Sequence, residues 1–190
     1  MKTTLPKDIK TQIAELLEDD FRQMILIPII DASGAYKVLD WHGRGEKGKD
    51  VYFAYRNMFG ELKHCCIFAK VGTITKSGRN DIRKMKEAME EALFAEFDSP
   101  VDNSPQARIE EFYFATNGAV NDDARTYISD LFKANRFPNF KIYDIDWVVD
   151  VVRRLIRDFA PRVDKEYIFG CNTFSSFCGK VKTVNDGIKI

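Results

Sequence analysis

Long hydrophobic runs are missing from this chain. No stretch of about 18 apolar residues occurs in its 190, so no membrane-spanning helix is expected. The opening MKTTLPKDIK lacks the apolar core of a secretory signal. Cysteine is scarce, with four residues at 65, 66, 171 and 178. In a strand Cys65 and Cys66 would point to opposite faces and make a poor disulfide. Neither pair has zinc-finger spacing, and no histidine lies near Cys171 or Cys178, so structural zinc is not expected. A cytoplasmic, reducing location fits this usage. An excess of one charge is also missing: 29 basic residues balance 29 acidic ones. That argues against a globally basic nucleic-acid binder. There is no internal repeat and no low-complexity tract.

What is present is enough apolar material for one domain with a real core: 45% hydrophobic and 13% aromatic residues. The charges are unevenly spread. Residues 41–90 hold eleven basic residues against six acids, and 91–150 hold five against twelve. Ordinary solvated charge accounts for such a bias about as well as a binding face does.

The chain is organised around Trp41 to Lys70. A turn-rich loop with Gly43, Gly45, Gly48 and Glu46 leads to Asp50. Two apolar runs follow, Val51 to Tyr55 and His64 to Ala69, joined by Asn57-Met58-Phe59-Gly60-Glu61. This predicts a β-hairpin that brings Asp50 and Lys70 to one end of a sheet.

Upstream, Lys7 to Glu18 reads as a short helix, with Ile9, Ile13, Leu16 and Leu17 at helical spacing. Phe21 to Ile29 continues that spacing, interrupted by Pro28, so a kinked or irregular helix is expected there. A buried strand over Met24 to Ile30 is the other reading. Tyr36 to His42 predicts a first strand. Downstream, Asp81 is a candidate N-cap for an amphipathic helix running through Ile82, Met85, Met89, Ala92, Leu93 and Phe97. Residues 98–106 form a loop. A strand over Ile109 to Thr116 follows, then a turn at Asn117-Gly118. Next comes a helix capped by Asn121, with Ala124, Tyr127, Ile128, Leu131 and Phe132 facing inward. A short strand, Phe140 to Tyr143, precedes a helix begun at Asp144 or Asp146 and ended by Pro161. The alternation predicts an α/β fold, a mixed sheet flanked by helices. The expected division is a helical lead-in (1–19), an α/β domain (20–160) and an aromatic tail or linker (161–190). The tail reads as leading into a further C-terminal part.

Asp50 and Lys70 carry the chemistry. Carboxylates hold Mg²⁺, which prefers oxygen ligands. The metal acidifies bound water and stabilises phosphate charge, and a lysine can position that water. A strand-end aspartate beside a surface lysine is the blander reading. GRGEKGK lacks the GxxxxGK spacing followed by Ser or Thr, and it lacks GxGxxG, so nucleotide binding there is not expected. As a basic loop it suits DNA phosphates. His42 is a candidate proton carrier, although a lone strand-end histidine is more often structural.

HGRGEKGKD followed by a hairpin ending in FAK resembles the core of the PD-(D/E)xK nuclease superfamily. It is most similar to the Mrr-type restriction-endonuclease domains at the N-terminus of some bacterial antiphage STAND NTPases. FYFATNGAVNDDARTYI resembles that family's strand, TNG turn and helix. IYDIDWVVDVV resembles its closing strand and helix. The likeness covers roughly residues 20 to 156.

The resemblance implies a restriction-endonuclease-like fold and Mg²⁺- or Mn²⁺-dependent DNA cleavage in antiphage defence, the domain being joined to a sensor or oligomerising part. Asp50 matches the metal-binding aspartate and Lys70 the motif lysine, with the Ala69 carbonyl as a further ligand. The family's acid two residues before the lysine is Phe68 here. The missing carboxylate would come from Glu46, or from Glu18 or Asp20 near the first helix. Lys47, Lys49, Arg79 and Arg83 are candidate phosphate contacts, which position rather than specify. A degenerate nuclease fold that binds DNA or a partner, and an assembly module acting through the tail, are the alternatives.

Overall fold

The computed structural model describes residues 8–41, 50–77, 79–134 and 139–159, with backbone alone at 79–81, 134 and 157–159. Its architecture is α/β, a five-stranded mixed sheet with helices on both faces. The order is α1 (Ile9–Ala14), α2 (Glu18–Phe21), a π-helical turn (Arg22–Leu26), α3 (Ile27–Ala32), β1 (Lys37–Asp40), β2 (Val51–Arg56) and β3 (Leu62–Lys70). Then come α4 (Arg79–Phe94), β4 (Glu111–Thr116), α5 (Asp122–Ala134), β5 (Phe140–Tyr143) and α6 (Ile145–Phe159).

The strands lie side by side in chain order. β1, β2 and β3 form an antiparallel meander in which Val51 faces Ile67. β4 adds parallel to β3, and β5 parallel to β4. The crossover helices α4 and α5 pack on the same face, as two right-handed crossovers advancing in one direction must. The ends of β1, β3, β4 and β5 and the start of β2 therefore share one end of the sheet. Open α/β sheets bind ligands at that end.

Side chains alternate across the sheet with the strand period of two. Val51, Cys65, Ile67, Ala69 and Tyr113 meet the layer of α1, α2, the π turn, α3 and α6. Tyr52, Ala54, Cys66, Phe112 and Phe114 meet α4 and α5. Cys65 and Cys66 are thus buried on opposite faces of the sheet. Ile13, from the stretch set apart as a lead-in, is fully buried in the first of these cores. A fully buried Phe21 or Ile25 contributes about 1.5–3 kcal/mol.

Several expectations are corrected. The first helix stops at Ala14, and Glu18 opens the next helix rather than closing it. Leu17 between them is extended and 72% exposed. The carbonyls of Ile13, Ala14 and Leu16 all accept from the Asn117 amide, so a long-range contact overrides local helical spacing. Residues 24–30 are helical, which excludes a strand there. The irregularity falls just before Pro28, where the Ile27 N–H reaches the Arg22 carbonyl in a wide turn. Asp81 is the third residue of α4, not its cap. Phe97 lies beyond the end of α4, bridged to Ala107, and Tyr127 is 44% exposed. Asp144 caps α6, its Oδ1 accepting the Trp147 N–H at 3.1 Å. Among the described residues no helix is long and apolar enough to cross a membrane.

Candidate functional site

Asp50 stands at the entrance to β2 and is buried. Its N–H donates to the Ile67 carbonyl at 3.1 Å, which fixes its backbone against β3. Its Oδ2 accepts the Ala69 N–H at 2.7 Å, a charge-assisted bond that aims the carboxylate at the end of that strand.

Lys70 follows Ala69 as the last residue of β3. Its Nζ lies 3.2 Å from Oε2 of Glu18, the first residue of α2, and both side chains are about two-thirds buried. Two acids from separate elements thus meet successive residues of β3: Asp50 at Ala69 and Glu18 at Lys70. Of the two upstream acids left open by the sequence, Glu18 reaches the lysine, whereas Asp20 is exposed.

Phe68 stacks on Phe114, ring centroids 6.2 Å apart at 28°, and packs with the α4–α5 core. A carboxylate at that position would face an aromatic ring. Glu46, Lys47, Lys49 and His42 lie outside the described residues, as does the tail from 160 with Cys171 and Cys178. Arg79 opens α4. Arg83 on the same helix is exposed, with Nε 3.7 Å from Glu87. His64 is buried, its Nδ1 2.8 Å from the Tyr52 hydroxyl, whose pKa burial pushes up to about 12.

Sequence reasoning missed two residues at this end of the sheet. Arg22, in the π turn, is buried. Its Nε donates to Asp40 at 2.9 Å and its Nη2 to Asp19 at 3.0 Å, while its Nη1 has no hydrogen-bond partner among the described residues. Asp40 ends β1 opposite Val51 and also accepts from the Gln23 amide. The available signal was an arginine directly beside an inward-facing phenylalanine, just ahead of the apolar run from Met24 to Ile30. The second is Asn117, read as a turn residue but buried at the end of β4.

Among the described residues, no group of three or more His, Cys, Asp or Glu side chains is close enough to hold a metal ion. Glu18 and Asp50 each bring a carboxylate to the end of β3. That donor type suits Mg²⁺ or Mn²⁺, which keep several waters and take one or two protein carboxylates. Comparison of the chain with protein-family models, curated proteins and solved structures finds no match.

Proposed function

We propose that this domain is a restriction-endonuclease-like, Mg²⁺- or Mn²⁺-dependent hydrolase of DNA phosphodiesters. One observation carries the reading. Asp50 and Glu18 converge on successive residues at the end of β3, the second of them the lysine that a water-positioning role requires. Glu18 then supplies the carboxylate that Phe68 cannot. A strand residue's N–H and C=O point to the same side, so the Ala69 carbonyl is offered on the side from which its N–H meets Asp50.

A bound divalent ion would acidify water and stabilise charge on the phosphate. Asp50, Glu18 and the Ala69 carbonyl would hold it. Lys70, drawn toward Glu18, would orient the attacking water and balance the developing charge. Lys47, Lys49, Arg79 and Arg83 would contact the DNA backbone, and Glu46 remains the other candidate for the second metal-binding carboxylate. The antiphage role, and a C-terminal sensing or oligomerising part, are carried by the sequence resemblance. Clustered copies would cut both strands through raised local concentration.

The test is cleavage of supercoiled plasmid in Mg²⁺ and in Mn²⁺. Wild type should nick DNA only with metal. Asp50→Ala and Lys70→Ala should each lose about 10²-fold or more, the scale of a lost acid–base or positioning group, and Glu18→Gln should follow them. Folded wild type that retains salt-sensitive DNA binding but never cuts would sink the hydrolase. The Phe68–Phe114 stack would then mark a nuclease fold kept for binding.

A further inference from the structure

We propose that Asn117 is a positioning residue that sets the Glu18–Lys70 pair. The inference rests on reading that pair as part of the site. Asn117 is 1% exposed. Its Oδ1 accepts the Gly72 N–H at 2.8 Å. Its Nδ2 faces the carbonyls of Ile13, Ala14 and Leu16 at 3.1, 3.3 and 3.0 Å. An amide has two N–H donors and one carbonyl, so both ends of this side chain are engaged.

The chain positions of those partners give the contact its meaning. Gly72 lies two residues after Lys70, and Leu16 lies two residues before Glu18. Two residues of chain span at most about 7 Å, so little slack separates each anchor from its charged side chain. One buried amide therefore ties together the backbones that present the ammonium and the carboxylate. Leu17 points into solvent, so the linker before α2 is held by Leu16 packed at the core, by the amide and by its own backbone bonds. The Gly72 carbonyl is held as well, accepting from Thr116 Oγ1 at 2.7 Å. Thr116 Oγ1 in turn accepts the Gly118 N–H at 3.1 Å. Aspartate would keep the acceptor for Gly72 but turn an oxygen toward three carbonyls. Serine is too short to span both partners.

The decisive readout is the side-chain NMR signal of the Lys70 ammonium and its Cε, assigned with Lys70→Arg. It is recorded for wild type, Glu18→Gln, Asn117→Asp, Asn117→Ser and the Glu18→Gln/Asn117→Ser double variant. Glu18→Gln should shift the signal. Both Asn117 variants should shift it the same way, and the double variant should go no further. If plasmid is cut, each Asn117 variant should also lose about 100-fold in single-turnover rate, the scale of a 1 Å misplacement, and Asn117→Ser should cost nothing further in the Glu18→Gln background. A Lys70 signal at its wild-type position in either folded Asn117 variant, or in Glu18→Gln, overturns the proposal. So does failure of both Asn117 variants to fold, because the amide would then serve the fold rather than the pair. A wild type that never cuts DNA refutes the nuclease reading alone, since the NMR comparison needs no turnover.

Discussion

A methyl group added at Gly118 would lie 2.2 Å from the Gly72 carbonyl carbon, 2.3 Å from its oxygen and 2.5 Å from the Thr73 nitrogen. Carbon atoms pack best at about 3.5–4.0 Å, so the two backbones would have to part by more than an ångström's order. Neither is free to do so. The Gly72 N–H is held by Asn117 and its carbonyl by Thr116, while the Gly118 carbonyl accepts the Ile145 N–H at 3.0 Å. Overpacking typically costs about 1–3 kcal/mol, and backbone on both sides puts Gly118→Ala at about 3 kcal/mol. For a chain of this size that lowers the melting temperature by about 6–12 °C. Gly72→Ala is the matched control. Gly72 has φ +87° but open space around it, so alanine there meets only left-handed strain of about 1–2 kcal/mol. Thermal melts of the three proteins in one buffer decide the matter. A Gly118→Ala protein melting within about 2 °C of wild type, or a Gly72→Ala protein that suffers more, would refute the close-approach argument.

Two further outcomes follow from groups outside the proposed chemistry. Arg22→Met should stay within about 1 kcal/mol of wild type in urea unfolding, or exceed it, because the guanidinium holds a buried nitrogen without a partner among the described residues and such a donor costs about 1–3 kcal/mol; a loss above about 3 kcal/mol would show that its bonds to Asp19 and Asp40 outweigh that cost. The Asp102 carboxyl is lowered to about 2 by hydrogen bonds from Ser99 and Ser104. Its support for the 98–106 loop should be complete above its ordinary value of 3.8 and vanish as pH falls through about 2, so an NMR titration placing its midpoint near 3.8 would contradict those bonds.

Local signals fixed in the sequence made much of the fold legible. Phe140–Tyr143 is the short strand expected there, and of the two aspartates open as the start of the last helix, Asp144 is the cap. The hairpin's apolar runs and turn placed Asp50 and Lys70 at one end of the sheet. Contacts between distant residues were harder to read. Helical spacing carried the expected first helix to Glu18, but an amide about a hundred residues downstream donates to the Ile13 carbonyl and the helix ends at Ala14. Glu18 was one of several acids near the first helix, and nothing local to it points at a lysine 52 residues on. Asn117 resembled a turn former because asparagine before glycine usually is one. Its burial became visible only once β3, β4 and the α1–α2 linker were brought together.

The span of the Asn117 clamp also imposes a schedule. The amide joins residues 104 positions apart, and closing so long a loop is entropically unfavourable until strands between its ends have paired. On a ribosome adding about 5–20 residues per second, roughly 5–20 s separate the synthesis of Ile13 from that of Asn117. During that interval the residues of the first helices have been made and the side chain that moors their linker has not. Where Asn117 sets the Glu18–Lys70 pair, as proposed, that contact is expected to be completed only after β4 has been made. A nascent chain truncated before residue 117 would carry the acid and the lysine but not the clamp that holds them in register.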